Sequence, residues 1–308
     1  RIALFHGCFM GWICHIISMD FDPSNFPTGL CEQMEPLVAR VLAGNPSPYT
    51  YTGTQTYIVG NRSDRAIIDP GPAIDEHIDA IIAAVGDAKI TAIMCTHTHR
   101  DHSPAAAPLA ARAGAPIIGC APLVLDDDGP RADESFDKEY KPDRVLGDGE
   151  TVSGDGWTIE AVATPGHTSN HLCLAVQESG AMFTGDHVMA WSTSVIVPPD
   201  GDMADYLASL QKLYEREDKV YYPAHGKKVT NTRQLVRGMM GHRKQRERQI
   251  LKLLEKGPAA IIEMVPQMYK GLDPRLNGAA GQSVRAHLID LRNKGRVTQS
   301  GEVWAMAG

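Results

Sequence analysis

The sequence predicts an α/β body with helices laid over sheets, followed by a smaller helical unit that closes in a hairpin. Three observations carry this. Apolar runs of strand length alternate with helical spacing from about residue 54 to residue 223. The charge divides, with 14 Lys and Arg against 31 Asp and Glu in residues 1–225, and 16 against 6 in residues 226–308. Beyond Gly226 the strand runs give way to three helical stretches and a terminal hairpin. An apolar fraction of 43% with 22% charged residues is ordinary globular composition, which excludes disorder, collagen and coiled coil.

The first long apolar run, Ile2–Ile17, is broken by His6 and His15. It is shorter than the ~18 to 20 residues of a spanning helix, and Asp20 and Asp22 follow it in place of a small-residue cleavage site. The expectation is a soluble cytoplasmic protein with no membrane partner. Residues 1–18 have two readings: upstream sequence ahead of a native start at Met19, or an N-terminal arm packed on the core. The body is expected over residues 19–230 and the C-terminal domain over 231–308.

Strands are expected at Thr54–Val59 and Arg65–Asp69, around a Gly-Asn-Arg-Ser-Asp turn. An amphipathic helix, Asp75–Val85, follows the Pro-Gly-Pro break. Thr91–Thr96 reads as a buried strand, Ala105–Ala113 as a helix ended by Gly114, and Ile117–Cys120 as another strand. Residues 126–143 are acidic and irregular. Strands resume at Trp157–Ala163, His171–Gln177 and Ala181–Thr184, then a helix at Met203–Arg216 capped by Asp202, then a short strand at Val220–Pro223.

In the C-terminal part, Thr232 is expected to cap a long helix running to Lys256, stopped by Gly257-Pro258. Helices at Ala259–Tyr269 and Ser283–Lys294 follow, then a hairpin of Arg296–Gln299 and Glu302–Met306 around Ser300-Gly301. Helices followed by such a wing make a small winged-helix domain. The six cysteines form no CxxC pair, so reduced thiols are expected, with Cys95 and Cys173 in the core.

Thr96-His97-Thr98-His99-Arg100-Asp101-His102 is the strongest chemical signal in the chain. It sets three imidazoles and one carboxylate in six positions directly after an apolar strand. On the turning chain His97 and His99 can bind one ion, and Asp101 and His102 can face a second. Imidazole with carboxylate suits a borderline cation such as Zn²⁺, with iron or manganese compatible, and the lack of thiolate argues against a structural zinc knot. Two sites need more ligands, and three candidates also follow strands: His167 in Thr-Pro-Gly-His-Thr, Asp186 in Phe-Thr-Gly-Asp-His and His225 in Tyr-Pro-Ala-His-Gly.

With these residues the sequence resembles the metallo-β-lactamase superfamily over about residues 45–230. The resemblance implies an αββα sandwich. It implies that His97, His99 and His167 hold one metal, that Asp101, His102 and His225 hold the other, and that Asp186 bridges them. Asp69, in Ile-Ile-Asp-Pro-Gly, matches the buried aspartate that supports the site from behind, and His171 has a similar supporting place. A carboxylate at the bridging position looks like the types acting on thioesters and phosphodiesters more than like dedicated β-lactamases. Gly241-His242-Arg243-Lys244-Gln245-Arg246-Glu247 on the long helix, with the winged helix behind it, is similar to the β-lactamase-like endoribonuclease subgroup. That likeness implies that His242 and Arg243 face the substrate. His6, His15, His77 and His287 look incidental, and His187 has either a pocket-facing or a packed role.

The expected chemistry is hydrolysis by a hydroxide bridging two cations, with Asp101 as the catalytic group that orients it and accepts its proton. Single-stranded RNA is the first substrate expectation, because residues 226–256 carry a net charge of +8. A small-molecule ester, thioester or lactam is the second, as in a glyoxalase-II-type thioesterase or a β-lactamase. A nucleic-acid-binding regulator with a merely structural metal is the third. The residues leave oligomeric state open.

Overall fold

The computed structural model describes residues 26–124 and 136–308. The readings of residues 1–18 fall outside them, as does most of the acidic excursion. Strands β1 (Cys31–Glu35), β2 (Val38–Leu42), β3 (Gln55–Gly60), β4 (Asp64–Ile68), β5 (Lys89–Cys95), β6 (Ile117–Gly119) and β7 (Arg144–Val145) form one sheet in chain order. It is antiparallel up to β4 and parallel from β4 onward. The second sheet holds β8 (Thr151–Gly154), β9 (Trp157–Ala163), β10 (Leu172–Val176), β11 (Ala181–Gly185) and β12 (Val220–Pro223), in the order β12-β11-β10-β9-β8.

The strand pleat explains the layers. In β10, Leu172, Leu174 and Val176 point into the core shared with the first sheet, while Cys173 and Ala175 point into a second core. In β11, Phe183 and Met182 divide in the same way, as do Tyr222 and Tyr221 in β12. Such strands are apolar on both faces, which is why they read as continuous runs. Helices α1 (Asp75–Val85) and α2 (Ala106–Ala113) add Ile78, Ile81 and Leu109 to the first core. Helix α3 (Met203–Glu215) adds Tyr206, Leu210 and Leu213 to the second, together with Val236 and Met239 of α4 (Thr232–Leu254). The result is the αββα order. Cys95 and Cys173 are buried, and the described cysteines are free thiols.

The C-terminal domain packs α4, α5 (Ile261–Met268) and α6 (Asn277–Asn293) around Leu254, Met264, Val284 and Leu288. Strands β13 (Ala259–Ala260), β14 (Val297–Ser300) and β15 (Val303–Met306) form its wing, with Trp304 buried beneath. This is a winged helix.

Several local expectations change. Asp202 does cap α3, accepting the Asp205 N–H at 2.9 Å. Thr232 does not cap α4: Asn231 precedes the helix without a side-chain cap bond, and Thr232 Oγ1 donates to Asp218 O at 3.0 Å. Ser300 pairs with Val303, so the wing turns at Gly301-Glu302, one residue later, where Gly301 takes φ +59°. The last helix starts at Asn277, six residues before the expected Ser283, because Gly278 and Gly281 hide its period. No helix among the described residues is long and apolar enough to cross a membrane.

Candidate metal centre

Four of the seven sequence-predicted ligands lie just past the end of a strand, His97 after β5, His167 after β9, Asp186 after β11 and His225 after β12, and His99, Asp101 and His102 follow His97 on the same turn. The two sheets bring these ends together. His97 Nε2 is 2.9 Å from His99 Nδ1, and His167 Nε2 is 3.1 Å from the same atom. In the second group, His225 Nε2 is 3.1 Å and His102 Nε2 is 3.5 Å from Asp101 Oδ2. Asp186 lies between them, with Oδ2 3.7 Å from His167 Nε2 and Oδ1 3.3 Å from His225 Nε2 and 3.6 Å from His102 Nε2. Zinc–nitrogen bonds of about 2.0–2.1 Å at tetrahedral angles separate ligand atoms by roughly 3.3 Å, so these spacings fit ligand shells.

The buried atoms give an independent test of fit. Among the described residues, His102 Nε2, His225 Nε2 and Asp186 Oδ1 are buried without a hydrogen-bond partner. Stranded polar atoms of this kind are costly unless something fills the gap between them. Imidazole nitrogen and carboxylate oxygen are the donor set of a borderline divalent cation. Among the described residues two such groups are present, His97, His99, His167 and Asp186 in one, and Asp101, His102 and His225 in the other.

The chain matches the Metallo-beta-lactamase superfamily over residues 49–225, and the Beta-lactamase associated winged helix domain over residues 261–304. It belongs to the metallo-β-lactamase superfamily. This superfamily hydrolase is 32% identical over 273 residues to the Beta-lactamase-like protein 2 homolog of Caenorhabditis elegans, covering 86% of this chain and 88% of that one. It is 33% identical over 231 residues to the Atrochrysone carboxyl ACP thioesterase dmxR1 of Cryptosporiopsis sp., covering 73% of this chain. The chain spans 65% of that thioesterase's length. A Beta-lactamase domain protein from Burkholderia ambifaria shares the fold, with a TM-score of 0.77 at 19% identity, over 91% of this chain and 94% of that one.

In this metallo-β-lactamase site the atoms facing away from the ligand cluster set the tautomers. His167 Nδ1–H donates to Val195 O at 2.7 Å, and His225 Nδ1–H to Gly53 O at 3.2 Å. Asp69 Oδ2 takes the His102 Nδ1–H at 3.0 Å and the Thr96 hydroxyl at 2.8 Å. Thr96 Oγ1 is then free to accept from His97 Nδ1 at 3.1 Å. All four rings consequently present Nε2 to the cluster. His171 is placed otherwise. Its Nε2 accepts the Asp186 N–H at 3.3 Å, which leaves Nδ1–H to donate to Thr164 Oγ1 at 2.9 Å. His171 therefore holds the backbone of Asp186.

Gly185 completes that contact. It takes φ +48°, and a Cβ there would lie 2.6 Å from His171 Nε2 and 2.7 Å from Thr96 Oγ1. Burial pushes the Asp101 carboxyl up, but His102 and His225 more than reverse it and hold it well below the usual carboxylate range. Burial likewise pushes His102 down, yet Asp101, Asp186 and Asp69 leave it raised. The negative field that retains a proton there also favours a divalent cation.

Arg243, expected to face the substrate, is buried at 2% exposure and its Nη2 donates to Ser194 O. His242 is partly buried, with both ring nitrogens unpartnered among the described residues, and burial with Arg243 and Arg246 lowers it to about 3. His77 and His287, which looked incidental, are buried at 2% and 1%. His187 is buried, packed 4.7 Å from the Tyr206 ring. Thr96, Thr164 and the Ser194-Val195 segment were not singled out from sequence. Thr96 could have been found as the residue opening the histidine motif, whereas nothing local marks Ser194.

Proposed function

We propose that this chain is a dinuclear-metal hydrolase acting on small-molecule thioesters. In this reading His97, His99 and His167 hold one cation, Asp101, His102 and His225 hold the other, and Asp186 joins the two. The carrying observation is Asp186, whose two carboxylate oxygens face different imidazole groups at 3.3 to 3.7 Å. The donor set suits zinc, with iron or manganese compatible. Two cations bound there would supply activated water at neutral pH and charge to stabilise an oxyanion.

The chain's own residues supply the rest. Asp101 is the more open of the two carboxylates, at 27% side-chain exposure against 13% for Asp186. It is the catalytic group that orients the attacking water and accepts its proton on the carboxylate oxygen that does not face the cation. Asp69 and His171 keep His102 and Asp186 aimed.

The thioester class is supported by relatives about one third identical that are named as thioesterases. The second reading is a phosphodiesterase acting on single-stranded RNA, supported by the net +8 of residues 226–256. It is the weaker, because Arg243 and Arg246 of that stretch are buried and bonded to the backbone carbonyls of Ser194 and Met268. A lactam remains a third test substrate.

Zinc-loaded protein should be assayed in parallel on an acyl-pantetheine thioester, a chromogenic lactam and labelled single-stranded RNA, with chelator and Asp101→Ala controls. Chelator-sensitive thioester hydrolysis lost in the variant supports the proposal. Cleavage of RNA alone transfers the site to the second reading. Absence of bound metal overturns both.

A further inference from the structure

Arg243 sits on α4, the long helix that leads into the winged-helix domain, yet its guanidinium reaches back to the catalytic body. Nη2 donates to Ser194 O, and the guanidinium lies 5.0 Å from the centre of the Tyr206 ring. Among the described residues no carboxylate pairs with it, and its Nε has no partner. A buried cation held only by a carbonyl and a ring is expensive. Its retention calls for a role.

Ser194 supplies one. Its hydroxyl faces two carbonyls, those of Asp186 and of His187, the latter at 2.9 Å. The next residue, Val195, offers the carbonyl that fixes His167 Nδ1 at 2.7 Å. Tyr206 lies under Arg243 and donates its own hydroxyl to His187 O at 3.1 Å. Two adjacent residues thereby hold the backbone of the carboxylate between the metal groups and the tautomer of one imidazole. Arg243 holds the first of these two residues by its carbonyl.

We infer that Arg243 is a positioning residue: it braces the Ser194-Val195 segment and through it aims Asp186 and His167 at the metal centre, tying the winged-helix domain to metal affinity. This rests on the dinuclear reading of the site. Arg246, three residues along the same helix, provides the contrast. It is also buried, but it donates to Met268 O at 2.7 Å and stacks 4.1 Å from the Tyr269 ring, inside the C-terminal domain.

The test is zinc binding by the metal-free chain with both domains present, measured by competition with a chromophoric chelator, with thermal stability of the same metal-free samples recorded alongside. Arg243→Gln should weaken zinc affinity at least tenfold, in the range found for groups that orient ligands. Arg243→Lys, which keeps one donor, should recover part of it. Arg246→Gln should lower the melting temperature without moving zinc affinity. Ser194→Ala serves where Arg243→Gln does not fold, and should weaken zinc as Arg243→Gln does. Where both fold, the double variant should be no weaker than the worse single one. Wild-type affinity in Arg243→Gln, or equal losses in Arg243→Gln and Arg246→Gln, overturns the inference. Failure of the wild-type protein to bind zinc overturns the dinuclear reading instead.

Discussion

Asp69 lies behind the candidate metal centre with Oδ1 accepting the Thr96 N–H at 2.7 Å and Oδ2 3.0 Å from His102 Nδ1. One buried carboxylate thus holds the first and last steps of the histidine motif. The cost is visible in the backbone, since Asp69 takes φ +47°, a region L residues rarely enter.

Asp69→Asn should therefore separate support from ligation. The amide can still accept the Thr96 N–H, but its NH2 cannot accept from His102 Nδ1–H. We expect zinc affinity to fall by about 10- to 100-fold, with the group containing His102 emptied first. Metal titration followed by equilibrium dialysis reads the result, and an affinity within twofold of wild type would exclude this role.

Gly185→Ala should damage the centre without touching a ligand. The added Cβ overlaps His171 Nε2 and Thr96 Oγ1, both part of the bonding behind the metal groups. Overpacking and the positive φ together are expected to destabilise the metal-free protein by roughly 2–4 kcal/mol. Urea unfolding measures this, and an unchanged midpoint with unchanged slope would contradict the packing described.

Buried His77 predicts an acid-side loss of stability. Its Nε2–H donates to Thr56 Oγ1 at 2.8 Å, since that hydroxyl already donates to Asp69 O. Burial lowers its pKa from the usual 6.5 to about 4. The unfolded chain then binds the extra proton across that interval, so stability rises with pH from about 4 to 6.5 and falls as pH drops through it. The difference is on the order of 3 kcal/mol between the ends of the window. His77→Gln keeps a donor for Thr56 but cannot titrate. Its unfolding free energy should be flatter than wild type over the same window, and parallel curves would refute the assignment.

Sequence patterning reached the catalytic body because its strands are either long apolar runs or alternating ones, and its helices carry one apolar face. Helix Asp75–Val85, strand Trp157–Ala163 and strand Val220–Pro223 have the bounds their residues predict. It missed Cys31–Glu35 and Val38–Leu42, whose Gln, Glu and Arg blur the alternation, and Thr151–Gly154, a short edge strand with little to bury.

What the sequence determined alone was the inventory of candidates for the centre. The histidine motif is local, and its neighbours at 167, 186 and 225 each follow a strand and a turn residue, so residue type and position suffice to nominate them. Which nitrogen faces the ligand cluster was decided only by the fold, because each tautomer depends on an acceptor from elsewhere: Val195 for His167, Gly53 for His225, Asp69 for His102. The same holds for Arg243. Its sequence neighbourhood reads as a basic helix facing solvent or nucleic acid, whereas its hydrogen bond to Ser194 spans 49 residues of chain. Such contacts follow from the packing of α4 against α3, a long-range event that no local spacing encodes.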